Sequence, residues 1–180
     1  MRTSDGFRYV LRVSPDQNAR KRPKVGPRRE PSMKEVRCRP SSDDAHEIAY
    51  FKRHVDDDPA QATPGRDFMH TCPLSVQANM AAVLTAVAAA PPKRFSGGGY
   101  WEAMHGDMTG WFEVRVNGPR RTHYRLFCLL DYEAEGMGKP LLVIVDGRSK
   151  LVRTELSAAD YEEVRSLGQE YWKRNPRSLI

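Results

Sequence analysis

The chain has 180 residues and a mass of 20.5 kDa, the length of one ordinary domain, and 39% hydrophobic residues, enough for one core. Its longest low-charge stretch, residues 73–92, is mostly alanine and carries Ser75, Gln77, Asn79 and Thr85, so no membrane span is expected. Three widely spaced cysteines (Cys38, Cys72, Cys128) argue against a disulfide scaffold; without a secretory pattern at the start, they point to a reducing cytoplasm.

The net charge of +6 is concentrated. Residues 1–32 hold nine Lys and Arg against Asp5, Asp16 and Glu30, while residues 33–180 hold twenty groups of each sign. Bulk charge therefore does not make the body a nucleic-acid binder; any such role depends on how its cations cluster. Residues 1–32, with Lys21-Arg22-Pro23-Lys24 and Arg28-Arg29, are expected to form a disordered basic tail, either a solvated leader or an arm for RNA and ribosomes. Met33 is an alternative start. Within the tail, residues 7–13 alternate apolar and basic side chains and suit a sheet edge. Residues 33–180 are expected to form a single domain.

Ser42-Asp43-Asp44 precede Ile48, Phe51 and Val55, whose spacing predicts a helix ended by Asp56-Asp57-Asp58-Pro59. A polar loop with Pro64-Gly65 follows. A second helix starts near Pro73, with Met80, Val83, Leu84 and Val87 on one apolar stripe, and stops at Pro91-Pro92. Gly97-Gly98-Gly99 lacks a following Lys-Ser/Thr and reads as a hinge or tight crossing, not a phosphate cradle. The period then changes: residues 111–116 alternate, Asn117-Gly118 signals a turn, and residues 122–130 form the return strand. After Gly136, Gly138 and Pro140, the apolar run 141–145 predicts a central strand. Ser157 is placed to cap the amide of Asp160, with Leu156 and Tyr161 as a hydrophobic staple, on a last helix running to about Lys173. A short first strand over 34–39 is also compatible. This order predicts an α+β domain: a twisted antiparallel sheet with helices packed on one face.

Metal ligation has little to work with: His70 with Cys72, and His105 with Asp107, are pairs lacking further ligands at suitable spacing. Neither a metal site nor a cofactor is expected. The chemistry-bearing candidates lie along strands. Alternation places Glu113 and Arg115 on one face of their strand, and His123 and Arg125 on one face of the next. Arg148, Lys150 and Arg153 follow the apolar strand. If the strands are adjacent, Arg115, Arg125, Arg148, Lys150 and Arg153 converge into a concavity suited to a phosphodiester, with Glu113 and His123 available to move a proton. Arg120 and Arg121, beside the turn, and Arg153 are candidate RNA contacts. The competing assignment is salt bridging: Arg115 to Glu113, Arg125 to Asp131 or Asp146, and Arg148 to Glu155.

The series Trp111-Phe112-Glu113-Val114-Arg115, a short turn, Tyr124-Arg125-Leu126-Phe127, an apolar strand and Gly147-Arg148-Ser149-Lys150 resembles the RelE/HigB superfamily of type II toxins. It is most similar to the phage-derived HigB-like branch, where a Trp-Glu-Leu-Arg strand precedes a Tyr-Arg-Val-Phe strand. The resemblance covers roughly residues 74–173. It implies a RelE/ParE-like α+β fold and a cytoplasmic, metal-independent endoribonuclease that cleaves ribosome-bound mRNA with the ribose 2′-hydroxyl as nucleophile. It also implies a cognate antitoxin, of helix-turn-helix type, over the site. By position, Arg125 matches the arginine that holds the scissile phosphate, Arg148 or Lys150 the cation on the next strand, and Arg115 and Glu113 the paired positions of the preceding strand. Residues 151–155 supply neither the Tyr nor the His that family members use as proton donor. Either His123 replaces it, or the activity is lost or redirected. A gyrase-directed toxin and a non-catalytic relative that binds protein or nucleic acid are the alternatives.

Overall fold

The computed structural model describes residues 39–90 and 99–180. The expectations for the basic tail, all but the last residue of the strand over 34–39, the proline stop at 91–92 and the first two glycines of the 97–99 run lie outside the described residues. Five strands and three helices follow in chain order: β1 (Glu47–Tyr50), α1 (Pro64–Thr71), α2 (Leu74–Ala89), β2 (Trp101–Ala103), β3 (Phe112–Gly118), β4 (Thr122–Asp131), β5 (Leu141–Leu151) and α3 (Ala158–Trp172). The strands form one sheet in the order β1-β5-β4-β3-β2. Neighbours from β2 to β5 are antiparallel, and β1 adds parallel to β5.

Strand alternation sorts the core into two layers. Val114, Val116, Leu126, Cys128, Leu142 and Ile144 pack against Met69 of α1 and Val76, Met80, Val83, Leu84 and Val87 of α2. On the other side, Phe127, Leu129, Leu141, Val143 and Val145 pack with Val164 and Tyr171 of α3. β5 is thus buried on both faces over residues 141–147, as its apolar run predicts. The α+β class holds with two changes of detail. The sheet is mixed, because β1 is parallel, and α3 covers the face opposite α1 and α2.

Two local readings are corrected. The helix expected over 42–55 is the strand β1. Ile48 and Phe51 do fall three apart, but Ile48 and Tyr50 face the α1/α2 layer while Phe51 faces the α3 layer. Pairing with β5 decides the conformation over local spacing. The loop expected at Pro64-Gly65 opens α1, since proline suits a helix's first turn, where its missing N–H has no partner to lose.

Helix α3 is anchored at both ends. Ser157 Oγ accepts from the Asp160 N–H at 3.1 Å, and Asp160 Oδ2 accepts from the Ser157 N–H at 2.8 Å, a reciprocal capping box. At the far end the Tyr171 hydroxyl and Arg177 Nε both donate to Asp131 Oδ2 at 2.7 Å. Burial pushes the Asp131 carboxyl up, but these bonds and the Glu133 N–H outweigh it and hold it below its ordinary value. Ser157→Ala is expected to cost about 1 kcal/mol of stability, read as an earlier urea midpoint with an unchanged slope. No helix among the described residues is long and apolar enough to cross a membrane.

Candidate functional site

The polar ends of β3, β4 and β5 lie on the face that α3 covers farther along. Register stacks their side chains into three transverse rows. Glu113, Phe127 and Asp146 form the first, Arg115, Arg125 and Arg148 the second, and Asn117, His123 and Lys150 the third. The placement of β5 depends on a bulge. Cys128 pairs with Ile144 and Phe127 with Asp146, so Val145 is the extra residue. Without it, simple alternation from Leu141, Val143 and Val145 would turn Asp146, Arg148 and Lys150 to the opposite face. The bulge re-aims all three toward Arg125 and His123.

A close approach on the other face locks this segment. Gly147 pairs with Leu126 and lies under α1, where an added Cβ would sit 2.0 Å from Phe68 Cδ1. Gly147→Ala is expected to destabilise by about 1–3 kcal/mol through overpacking and to displace Asp146 and Arg148, checked by thermal and urea unfolding.

The arginines are held by carboxylates. Glu113 has a side chain only 3% exposed. Its Oε1 accepts from Arg115 Nε at 2.6 Å, and its Oε2 is paired with Arg125 Nη1. Arg115 Nη1 reaches Glu102 Oε2 of β2 at 2.5 Å, across a half-exposed pair. Arg148 is drawn toward α3: Nε donates to Asp146 Oδ2 at 2.9 Å, Nη2 meets Glu163 Oε2 at 2.9 Å, and Asp160 lies 3.9 Å away. Burial lifts the Asp146 carboxyl above its ordinary value, against the pull of Arg148 and the Gly147 N–H. Of the expected salt bridges, Arg115 with Glu113 is present. Arg125 pairs with Glu113 rather than with Asp131 or Asp146, and Arg148 with Asp146 and Glu163 rather than with Glu155.

Tyr100, Arg115, Asn117, His123, Arg125 and Lys150 line a depression of about 340 Å³. His123 Nδ1 lies 2.5 Å from Asn117 Oδ1. A carbonyl oxygen only accepts, so Nδ1 carries the hydrogen, and Nε2 is the nitrogen left for acid–base chemistry. Arg125, 16% exposed, gives Nη1 to Glu113, while its buried Nε has no partner among the described residues. It has more donors than acceptors to receive them. Lys150 Nζ bonds the Thr154 carbonyl at the rim. The depression thus joins Arg115, His123, Arg125 and Lys150. Glu113 lies buried beneath it with both oxygens engaged, and Arg148 stands outside it.

Asn117 and Tyr100 were not among the expected site residues. The Asn117-Gly118 pair reads as a turn, but pairing continues to Gly118 opposite Thr122, so Asn117 stays in β3 and orients His123. The turn lies three residues later, at Arg120 and Arg121. Glu102, which pairs with Arg115, has no sequence signal beyond its place beside Trp101. Among the described residues no group of three or more His, Cys, Asp and Glu side chains is placed to hold a metal ion. No protein-family model, curated protein or solved structure matches the chain.

Proposed function

We propose that the chain is a RelE/HigB-type toxin, a cytoplasmic, metal-independent endoribonuclease that cuts ribosome-bound mRNA and is held inactive by a helix-turn-helix antitoxin over the depression. The carrying observation is the in-register placement of Arg115, Arg125, His123 and Lys150 around one depression, on strands joined by backbone hydrogen bonds. Such a plate stabilises charge where it develops on a phosphate, and strands hold it with little reorganisation. Arg125 and Arg115 grip the nonbridging oxygens of the scissile phosphate, and Lys150 adds a point charge at the rim. The ribose 2′-oxygen attacks the adjacent phosphorus as its proton passes to water. The P–O5′ bond breaks, and the imidazolium of His123 gives the Nε2 proton to the departing 5′ oxygen. The products are a 2′,3′-cyclic phosphate and a 5′-hydroxyl. Glu113, with both oxygens on arginines, positions the two guanidiniums and moves no proton.

Induction in cells tests this directly. Growth arrest with halted translation and new mRNA 5′ ends inside reading frames is the expected result. DNA damage with intact translation would favour the gyrase-directed alternative, and arrest without new ends the non-catalytic one.

A further inference from the structure

Four non-glycine residues among those described have a left-handed backbone: Gln61, Arg120, Arg121 and Arg153. Three of the four are arginines at one end of the sheet. Arg120 (φ 56°, ψ 30°) and Arg121 (φ 57°) are the central pair of a tight turn closed by the Thr122 N–H on the Pro119 carbonyl. Both centres at positive φ make a primed hairpin turn, the geometry that favours Asn-Gly, not two long side chains. Arg153 (φ 70°) stands in the loop after β5. The two tips are joined, since the Val152 N–H donates to the Arg121 carbonyl at 2.8 Å. Strained residues persist where the surroundings over-determine them, and such positions gather at functional sites.

The arginines in these tips also differ from those in the sheet. All three are exposed, and none is ion-paired among the described residues, whereas Arg115, Arg125 and Arg148 each hold a carboxylate. Beside them, on the α1/α2 face, a groove of about 670 Å³ is lined by Pro73, Pro119, Arg120, Tyr124, Ser149 and Lys150 among others, with no acidic residue among the described ones. Lys150 borders both this groove and the depression on the opposite face.

We infer that the hairpin tip and the loop after β5 form a second site, a cationic grip for the backbone of single-stranded RNA flanking the cleaved phosphate. This rests on the proposed action on RNA. Arg120, Arg121 and Arg153 contact successive phosphates, and the ring of Tyr124 offers a stacking surface to a base in the groove. The Tyr124 ring favours RNA over an acidic protein segment, which has charge but no base to stack. Backbone strain is the cost of presenting three guanidiniums from two tight turns.

The test exploits opposite signs. The double variant Arg120→Asn with Arg121→Gly installs the residues the turn prefers, so its melting temperature should rise by about 3 °C. Its affinity for a labelled single-stranded oligoribonucleotide of about a dozen nucleotides should fall ~10-fold. The salt slope of binding should become shallower by about 1.4, because two phosphates are no longer neutralised. Arg153→Gly should show the same pair of changes, about half as large in slope. Unchanged affinity and slope in a stabilised variant would overturn the inference, as would loss of binding to an acidic peptide with RNA binding intact. The grip and the nuclease fail separately. If wild-type induction yields no new mRNA ends but the double variant still loses oligoribonucleotide affinity, the grip stands and the nuclease falls.

Discussion

Arg125→Ala is expected to abolish growth arrest and to slow mRNA cleavage at least ~100-fold, the scale of losing one transition-state donor. Arg125 occupies the middle of its transverse row, between Arg115 and Arg148, and only its Nη1 is committed to Glu113. A guanidinium can give two parallel bonds to a phosphate and stays charged at any working pH. Because the side chain is only 16% exposed and pairs with a buried carboxylate, the alanine variant is also expected to lose stability. Arg125→Lys separates the two effects. It keeps a cation beside Glu113, so the fold should survive, while the missing fork should still remove most of the activity. A folded lysine variant with full activity would place the chemistry elsewhere.

Glu113→Ala is expected to destabilise the protein by about 3–5 kcal/mol, since it removes the one carboxylate paired with the largely buried Arg125 and leaves Arg115 only its half-exposed contact with Glu102. The urea midpoint checks this, with an unchanged slope as the mark of a native-state effect. Glu113→Gln keeps the shape and tests the role. If Glu113 only positions the arginines, this variant loses rate at every pH and the pH profile of cleavage keeps its form. His123→Ala should instead lose cleavage while leaving RNA binding in place. A reshaped profile in Glu113→Gln would return that carboxyl to the proton-transfer step.

The convergence of Arg115 with Arg125 was legible because β3 and the first half of β4 each carry one apolar and one polar face. Val114 and Val116, and Leu126 and Cys128, had to meet the helices, which left Glu113, Arg115, His123 and Arg125 on the other side. Arg148 and Lys150 were legible as neighbours but not as members of that face. Residues 141–145 are uniformly apolar, so nothing in their pattern marks Val145 as the bulge that resets the phase. β1 was misread because a spacing of three between Ile48 and Phe51 imitates a helix, and only pairing with β5 distinguishes the two. The turn was misplaced for a related reason. Asn117-Gly118 carries the stronger local signal, yet the ladder runs through both and the chain reverses at Arg120-Arg121. The carboxylates that hold Arg125 and Arg148 depend on cross-strand register and on the approach of α3, which local pattern does not contain.

The chemical nature of the new mRNA ends tests the proposed mechanism most directly. RNA from induced cells, sorted by whether its ends accept ligation as 5′-hydroxyl or as 5′-phosphate, reports which oxygen attacked phosphorus. Attack by the ribose 2′-hydroxyl, with His123 protonating the leaving oxygen, predicts 5′-hydroxyl ends matched by 2′,3′-cyclic phosphates, most of them lost in Arg125→Lys. New ends bearing 5′-phosphate and 3′-hydroxyl groups, or none at all, would contradict it.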